Sequence, residues 1–212
     1  MLWNKLPHSV HLIDHEISKY RYNNDIYFPK SKNKGLRYFP REIKWISPES
    51  IKFFDTVRLF SSIYYIQNGE WDKSIASIKD RPQYRVVDEL LNKSYSIEKL
   101  TDYDFTVNKF ISSMGVSRNK AEELTKKKYS NILELAKKIK KNGYKTQKEL
   151  GLSSYNKFNT WYDEIRVSVT RNGEYILNGS GNHRLCIAQQ LGIKQVPVVV
   201  IRMHYKFFHD KT

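Results

Sequence analysis

Apolar and polar residues change rhythm several times along this chain, and each change predicts an element. Ile165, Val167 and Val169 alternate with Arg166, Ser168 and Thr170, the period of two that predicts a β-strand with one covered face. Asn172-Gly173 is a strong hairpin signal, and Tyr175-Ile176-Leu177 returns as the partner strand. The next segment, 183–191, is apolar at Leu185, Ile187, Ala188 and Leu191 and stops at Gly192, which predicts a short packed helix. Val196-Pro197-Val198-Val199-Val200-Ile201 is then an almost wholly apolar strand. Pro197 has no ladder donor to give, so it belongs to that strand's first residues or to an edge.

Upstream the rhythm is mostly helical. Over 48–68 the apolar positions Ile51, Phe54, Val57, Leu59, Phe60 and Ile63 recur at helical spacing, with Ser47 placed to cap and Asn68-Gly69 placed to stop, and a buried helix is predicted. Shorter helical pieces are expected over 72–98, around Arg81-Pro82 and the set Val86, Val87, Leu90 and Leu91. The clearest helix spans 131–143. Asn131 with Glu134 resembles a capping box, Ile132, Leu135, Ala136 and Ile139 form one stripe, and Gly143 takes the C-terminal cap. Lys137, Lys138, Lys140 and Lys141 suit its C-terminal dipole and read as a solvated face. Residues 147–158 form a connector. Residues 1–50, broken by Pro7, Pro29, Gly35, Pro40 and Pro48, read as an irregular or short-stranded lead-in.

The chemistry concentrates where the hairpin meets the following helix, at Gly179-Ser180-Gly181-Asn182-His183-Arg184. Two glycines permit positive φ and close backbone approach. Asn182 is placed to cap the helix, and the first helical N–H groups with His183 and Arg184 would converge on one anion. Arg184 suits bidentate phosphate contact, and His183 can donate to the same phosphate or stabilise charge on a transferring group.

Composition narrows the setting. With 212 residues, 40% hydrophobic and 14% aromatic, the chain can bury a core. One cysteine excludes an internal disulfide and a cysteine-based zinc site, in keeping with a reducing compartment. No run approaches the ~18 apolar residues of a membrane span, and the opening residues lack the apolar core of a secretory signal, so the expected compartment is the cytoplasm. A net charge of +15 and a pI near 9.7 favour an anionic partner, nucleic acid included. Because Lys outnumbers Arg, the charge does not name that anion.

The helix from Leu133 to Lys141, the run Gly143-Tyr144-Lys145-Thr146-Gln147, the hairpin, Gly181-Asn182-His183-Arg184-Leu185, Leu191-Gly192-Ile193 and Val196-Pro197-Val198-Val199-Val200 occur in one order. Over about the last 80 residues, that order and spacing resemble the ParB/sulfiredoxin superfamily, which includes ParB-like nuclease domains and free serine kinases. Gly181-Asn182-His183-Arg184 looks like the superfamily's Gly-x-His/Arg-Arg phosphate motif. The resemblance implies an α+β chain with a ParB/sulfiredoxin-like nucleotide-binding domain over 129–212 and a mostly helical N-terminal segment, 1–128, packed on it. It implies ATP, ADP or CTP with Mg²⁺ as ligand, bound at Gly179, Ser180, Gly181, Asn182, His183 and Arg184. Asn182 stands where sulfiredoxin carries its catalytic cysteine, so sulfinic acid reduction is not expected, and Cys186 reads as a small buried hydrophobe. The chain ends about ten residues after its last strand, which leaves no room for the helix-turn-helix domain of chromosome-partitioning ParB proteins.

The activity this resemblance implies is phosphoryl transfer to a small hydroxyl-bearing acceptor, which requires a carboxylate as base or metal ligand. Asp163 and Glu164 open the first hairpin strand on opposite faces, and Glu164 falls with Arg166 and Ser168, away from the apolar layer. Asp72 is a third candidate; His204 and His209 read as incidental. The alternatives are a DNA-binding protein using the basic surface and a nuclease, for which the sequence offers no acidic cluster; the stretch 110–118, which precedes the domain, has only a turn reminiscent of helix-turn-helix.

Overall fold

The computed structural model describes residues 37–38, 43–56, 65–150 and 164–210. Among them are eight β-strands in one mixed sheet and five α-helices, a mixed α+β architecture. The chain divides into two compact units that are not consecutive in sequence. Met1–Ile78, Thr146–Gly181 and Lys194–Thr212 make the first, and Lys79–Lys145 with Asn182–Ile193 the second. Among the described residues no helix is long and apolar enough to cross a membrane.

All eight strands belong to the first unit: β1 (Arg37–Tyr38), β2 (Ile43–Ile46), β3 (Phe53–Asp55), β4 (Tyr65–Gln67), β5 (Ile75–Ser77), β6 (Ile165–Val169), β7 (Tyr175–Leu177) and β8 (Val196–His204). Their order is β1-β4-β8-β6-β7-β3-β5, with β2 also on β8. β8 is an interior strand. β6 runs parallel along one of its edges, while β2, antiparallel, and β4, parallel, share the other. Eight of the nine β8 residues are buried, as a continuous apolar run covered on both faces should be. Pro197 is the second residue of the strand, where a missing donor disturbs the ladder least.

The segment 48–68 is not a helix where it is described. Pro48–Ser50 is a single 3-10 turn and Phe53–Asp55 is β3, paired parallel to β7 and antiparallel to β5. Helical spacing of Ile51 and Phe54 fits a short aromatic strand equally well, and the deciding partners lie far away in sequence. The hairpin forms as expected, with one difference. Thr170 N–H donates to the Glu174 carbonyl at 2.9 Å, so Arg171, Asn172 and Gly173 form a three-residue loop, with Gly173 at φ 83°.

A charged network occupies one face of this sheet. Between Val167 and Ser168 the β6–β8 register shifts: Val167 opposes Val200, and Ser168 opposes Arg202. The extra residue, Ile201, makes a bulge that turns Arg202 to the face of Ser168 instead of the apolar face of Val167 and Val169. There Arg202 pairs with Asp55, both side chains 1% exposed, and its Nε donates to Ser168 Oγ. Asn178 Nδ2 donates to the same hydroxyl at 2.9 Å, and the Trp71 ring covers the guanidinium at 3.5 Å. Nearby, the hairpin's Arg171 holds Asp72 with Nε, Nη2 and its own backbone N–H, at 2.6 to 2.9 Å. Burial alone would raise the Asp72 carboxyl, but these bonds, with His204 nearby, bring it down to about 2.

The second unit is helical: α1 (Pro82–Leu91), α2 (Tyr103–Met114), α3 (Arg118–Asn142) and α4 (Asn182–Gln190). Val87, Val107, Ala121, Tyr129, Ala136 and Ile187 lie in its core. The helix expected over 131–143 starts earlier, at Arg118, because Ser117 caps it and Ala121, Thr125 and Tyr129 prolong its buried stripe. Thr125 and Tyr129 carry polar atoms and so escape an apolar count; here the Tyr129 hydroxyl lies 2.7 Å from Thr106 Oγ1. Residues 128 and 129 thus stand mid-helix, and ahead of residue 78 the described N-terminal elements are strands and 3-10 turns. α5 (Tyr205–His209) follows β8 in the first unit.

Two stability measurements test this account. In urea, Arg202→Met should lose about 3–5 kcal/mol, because the Asp55 carboxylate stays buried without its guanidinium. Replacing both, Arg202→Met with Asp55→Leu, should lose less than Arg202→Met alone. For Asp72 the folded carboxyl titrates below the unfolded one, so its contribution is complete above pH 4 and disappears as pH falls toward about 2. Asp72→Asn should flatten the stability profile in that interval and nowhere else.

Candidate functional site

The hairpin delivers the glycine cluster at the end of β7. The chain leaves the strand after Leu177, turns through 178–181 and enters α4 at Asn182. Gly179 and Gly181 have φ of 81° and 85°. A Cβ on Gly181 would lie 2.7 Å from the Cα of Ile165, so only glycine lets the turn run this close to β6. Ser180 N–H donates to the Asn178 carbonyl at 3.0 Å, and the Ser180 carbonyl accepts from Arg166 N–H at 3.3 Å. Asn182, expected as the cap, is the first residue of the helix; Gly181 takes the flanking position. The first turn of α4 supplies N–H groups that its own helix does not use, at the positive end of its dipole.

Gly179 is exposed, and Ser180, Gly181, Asn182, His183 and Arg184 are half-buried. Burial pushes His183 down to about 4, with Lys128 adding to the effect, so the imidazole is neutral near pH 7 and offers one N–H instead of a positive charge. Two residues on, Cys186 is fully buried and its thiol is pushed up to about 12 by desolvation, the state of an inert packing residue.

Glu164 is fully buried, and its Oε1 accepts from Gln147 N–H at 2.6 Å. The polar face of β6 is therefore not a solvent face: Ser168 is also fully buried and Arg166 is half-buried. Asp163 lies outside the described residues. Asp72 is committed to Arg171. His204 is buried, with Nε2–H donating to the Gly69 carbonyl at 2.9 Å and Nδ1 accepting from Lys206 N–H at the start of α5. Among the described residues no group of three or more His, Cys, Asp or Glu could hold a metal ion.

Sequence reasoning missed Asn178, Ser168, Asp55, Arg202 and Trp71 as a network, and Arg166 as a neighbour of the turn. The available signal was Arg202 closing an otherwise apolar strand, a residue that needs an acid wherever that strand is interior.

Comparison with protein-family models, with curated proteins and with solved structures gives no match.

The two glycines separate conformational strain from steric exclusion. Gly179→Ala, with nothing within 4 Å of its new methyl, should lose about 1–2 kcal/mol for a side chain at positive φ. Gly181→Ala should lose clearly more, because the methyl also meets the Ile165 backbone. Urea unfolding of the two variants side by side gives the comparison.

Proposed function

We propose that this chain binds a nucleoside phosphate, ATP, ADP or CTP, on residues 179–184 and transfers a phosphoryl group to a small hydroxyl-bearing acceptor. The observation that carries the reading is the glycine turn entering α4, with Gly181 pressed against Ile165 and both glycines at positive φ. Such a turn brings main-chain N–H groups close to an anion without side chains in the way. Arg184 supplies a fixed positive charge in a planar fork, and His183 supplies a neutral donor. With no acid cluster among the described residues, Mg²⁺ would arrive on the nucleotide's phosphates and take at most one or two carboxylates here. Phosphoryl transfer asks little of a protein beyond placement and charge neutralisation, which suits a site built from backbone and cations. Glu164 is the proposed proton acceptor for the acceptor hydroxyl, with Asp163 as the other candidate; the resemblance to the ParB/sulfiredoxin superfamily supports the whole assignment.

A second reading, nucleic-acid binding, draws on α2 and α3. They are joined by three residues, with Gly115 left-handed and Ser117 capping, the connection of a helix-turn-helix pair. Lys127, Lys138 and Lys141 lie exposed along α3. Binding of this kind would weaken steeply with salt as counterions are released.

Titration calorimetry with nucleotides and Mg²⁺, followed by turnover assays on hydroxyl compounds, tests the proposal. Arg184→Ala should weaken nucleotide binding by about 1.5–3 kcal/mol while the fold persists. Glu164→Gln keeps an oxygen for Gln147 N–H but loses the ability to take a proton, so it should abolish turnover and leave stability and nucleotide affinity nearly unchanged. Full activity in Glu164→Gln would reduce Glu164 to an anchor for Gln147. No nucleotide binding, alongside salt-sensitive DNA binding, would favour the second reading.

A further inference from the structure

The helical unit carries its charge unevenly. Residues 126–145, from the middle of α3 to just past its C-terminal end, hold eight lysines and one acid, Glu134, a net +7 out of the chain's +15. Two of these lysines have carboxylate partners, Lys126 with Glu98 and Lys137 with Glu134, each at 3.0 Å. Lys128 is half-buried, its ammonium over the Tyr129 ring. Lys127, Lys138, Lys140, Lys141 and Lys145 are exposed and form no ion pair among the described residues. The acid one turn before Lys127, Glu123, is held by Lys120 at 2.7 Å. With about 3.6 residues per turn, Lys127, Lys138 and Lys141 fall on one stripe of α3 about 21 Å long, with Ser130, Asn131 and the Lys137-paired Glu134 exposed between them.

The beginning of the same helix shows what a merely solvated face looks like: Arg118 is paired with Glu122 at 3.0 Å and Lys120 with Glu123. The helix dipole favours cations in the last turn only, so it accounts for Lys140 and Lys141 and leaves Lys127 and Lys138 without a reason. Like charges one turn apart, as at Lys137 and Lys141, weaken a helix by themselves. A linear polyanion offsets that repulsion along the whole stripe. An anionic bilayer fits less well, because the apolar residues of α3, among them Ala121, Ile132, Ala136 and Ile139, are buried in the unit's core and cannot enter lipid. A single nucleic-acid strand is held largely by stacking on aromatic rings, and the exposed stripe has none, Tyr129 being buried. A duplex presents its phosphates outward, where lysines reach them as point charges without reading bases.

We propose that the solvent face of α3, from Lys127 to Lys141, docks on the phosphate backbone of duplex DNA independently of its sequence. This rests on the nucleic-acid reading given above and moves its contact from the start of α3, where a helix-turn-helix pair would read bases, to the C-terminal half. Fluorescence anisotropy of the full chain with labelled duplexes of two unrelated sequences, and with one of their single strands, tests it between about 50 and 200 mM KCl, the range over which counterion release changes affinity steeply. Both duplexes should bind alike and more tightly than the single strand. The triple variant Lys127→Gln, Lys138→Gln, Lys141→Gln should bind both duplexes more weakly, its log–log salt slope shallower by about 0.9 for each lysine removed. Arginine at the same three positions should keep the wild-type slope. Lys52→Gln, Lys99→Gln, Lys194→Gln, which removes the same charge from exposed lysines elsewhere, should leave it nearly unchanged. Equal effects of the two glutamine triples, tighter binding of the single strand, or binding lost only in Arg118→Gln and Lys120→Gln would each overturn the inference while the nucleic-acid reading stands. If the wild type binds no DNA at the lowest salt, that reading falls and the inference with it.

Discussion

The buried guanidinium of Arg202 is the constraint on which the sheet depends. A charge that keeps its proton and has lost its water must be met by acceptors held in place, and those acceptors come from three other strands or their ends: Asp55 of β3, Ser168 of β6 and, through Ser168, Asn178 just after β7. Because side chains alternate along a strand, a slip of one residue in any of these pairings would send Arg202 or its acid to the opposite face. The bulge at Ile201 is part of the same solution, since it sets Arg202 in phase with Ser168. The polar network thus specifies register in a sheet whose apolar strands, Val196 to Ile201 above all, would tolerate several.

That constraint reaches the candidate site through Asn178. Its side chain is tied to Ser168 and Asp55, and its main chain to Arg166 and Ser180, so the point at which the chain leaves β7 is fixed on both counts. From there only four residues, 178–181, remain before α4 begins. The turn is short and its origin is held, so its path is forced close to Ile165, and glycine at 181 follows from that path. The phosphate site proposed above would need such rigidity, since donors that must be reorganised on binding lose much of their advantage. In this turn it comes from the polar network of the sheet, through Asn178.

What could be read from the sequence was local. The hairpin, the glycine turn, α4 and β8 each lie within ten residues or so and carry their own periodicity and stop signals, and they are found where those signals put them. The failures share one physical cause. β3 depends on β5 and β7, the latter more than a hundred residues away, and no local pattern distinguishes its three residues from part of a helix. The face of Glu164, Arg166 and Ser168 reads as solvated because its residues are polar, yet Glu164 and Ser168 are fully buried, each polar atom named above being met by a partner from a distant segment. Alternation in a strand reports which face is apolar; it does not report whether the other face is wet.

The same distinction explains why the net charge of +15 says little about the site. Among the described residues nearly all lysines are exposed, where water and salt screen their charge. The charge that fixes structure is the fraction held away from water, and in the sheet unit it resides in arginines, whose fork can be saturated by carboxylates at short range. Arg171 and Arg202 are saturated in this way and become structure, bracing the hairpin loop and the sheet register. Arg166, on β6, has a buried Nε without an acceptor, and its main chain is bonded to Asn178 and Ser180. Desolvation raises the worth of a positive charge to the carboxylate that reaches it, so the pairs made by Arg171 and Arg202 fix more of the structure than the lysines that dominate the composition.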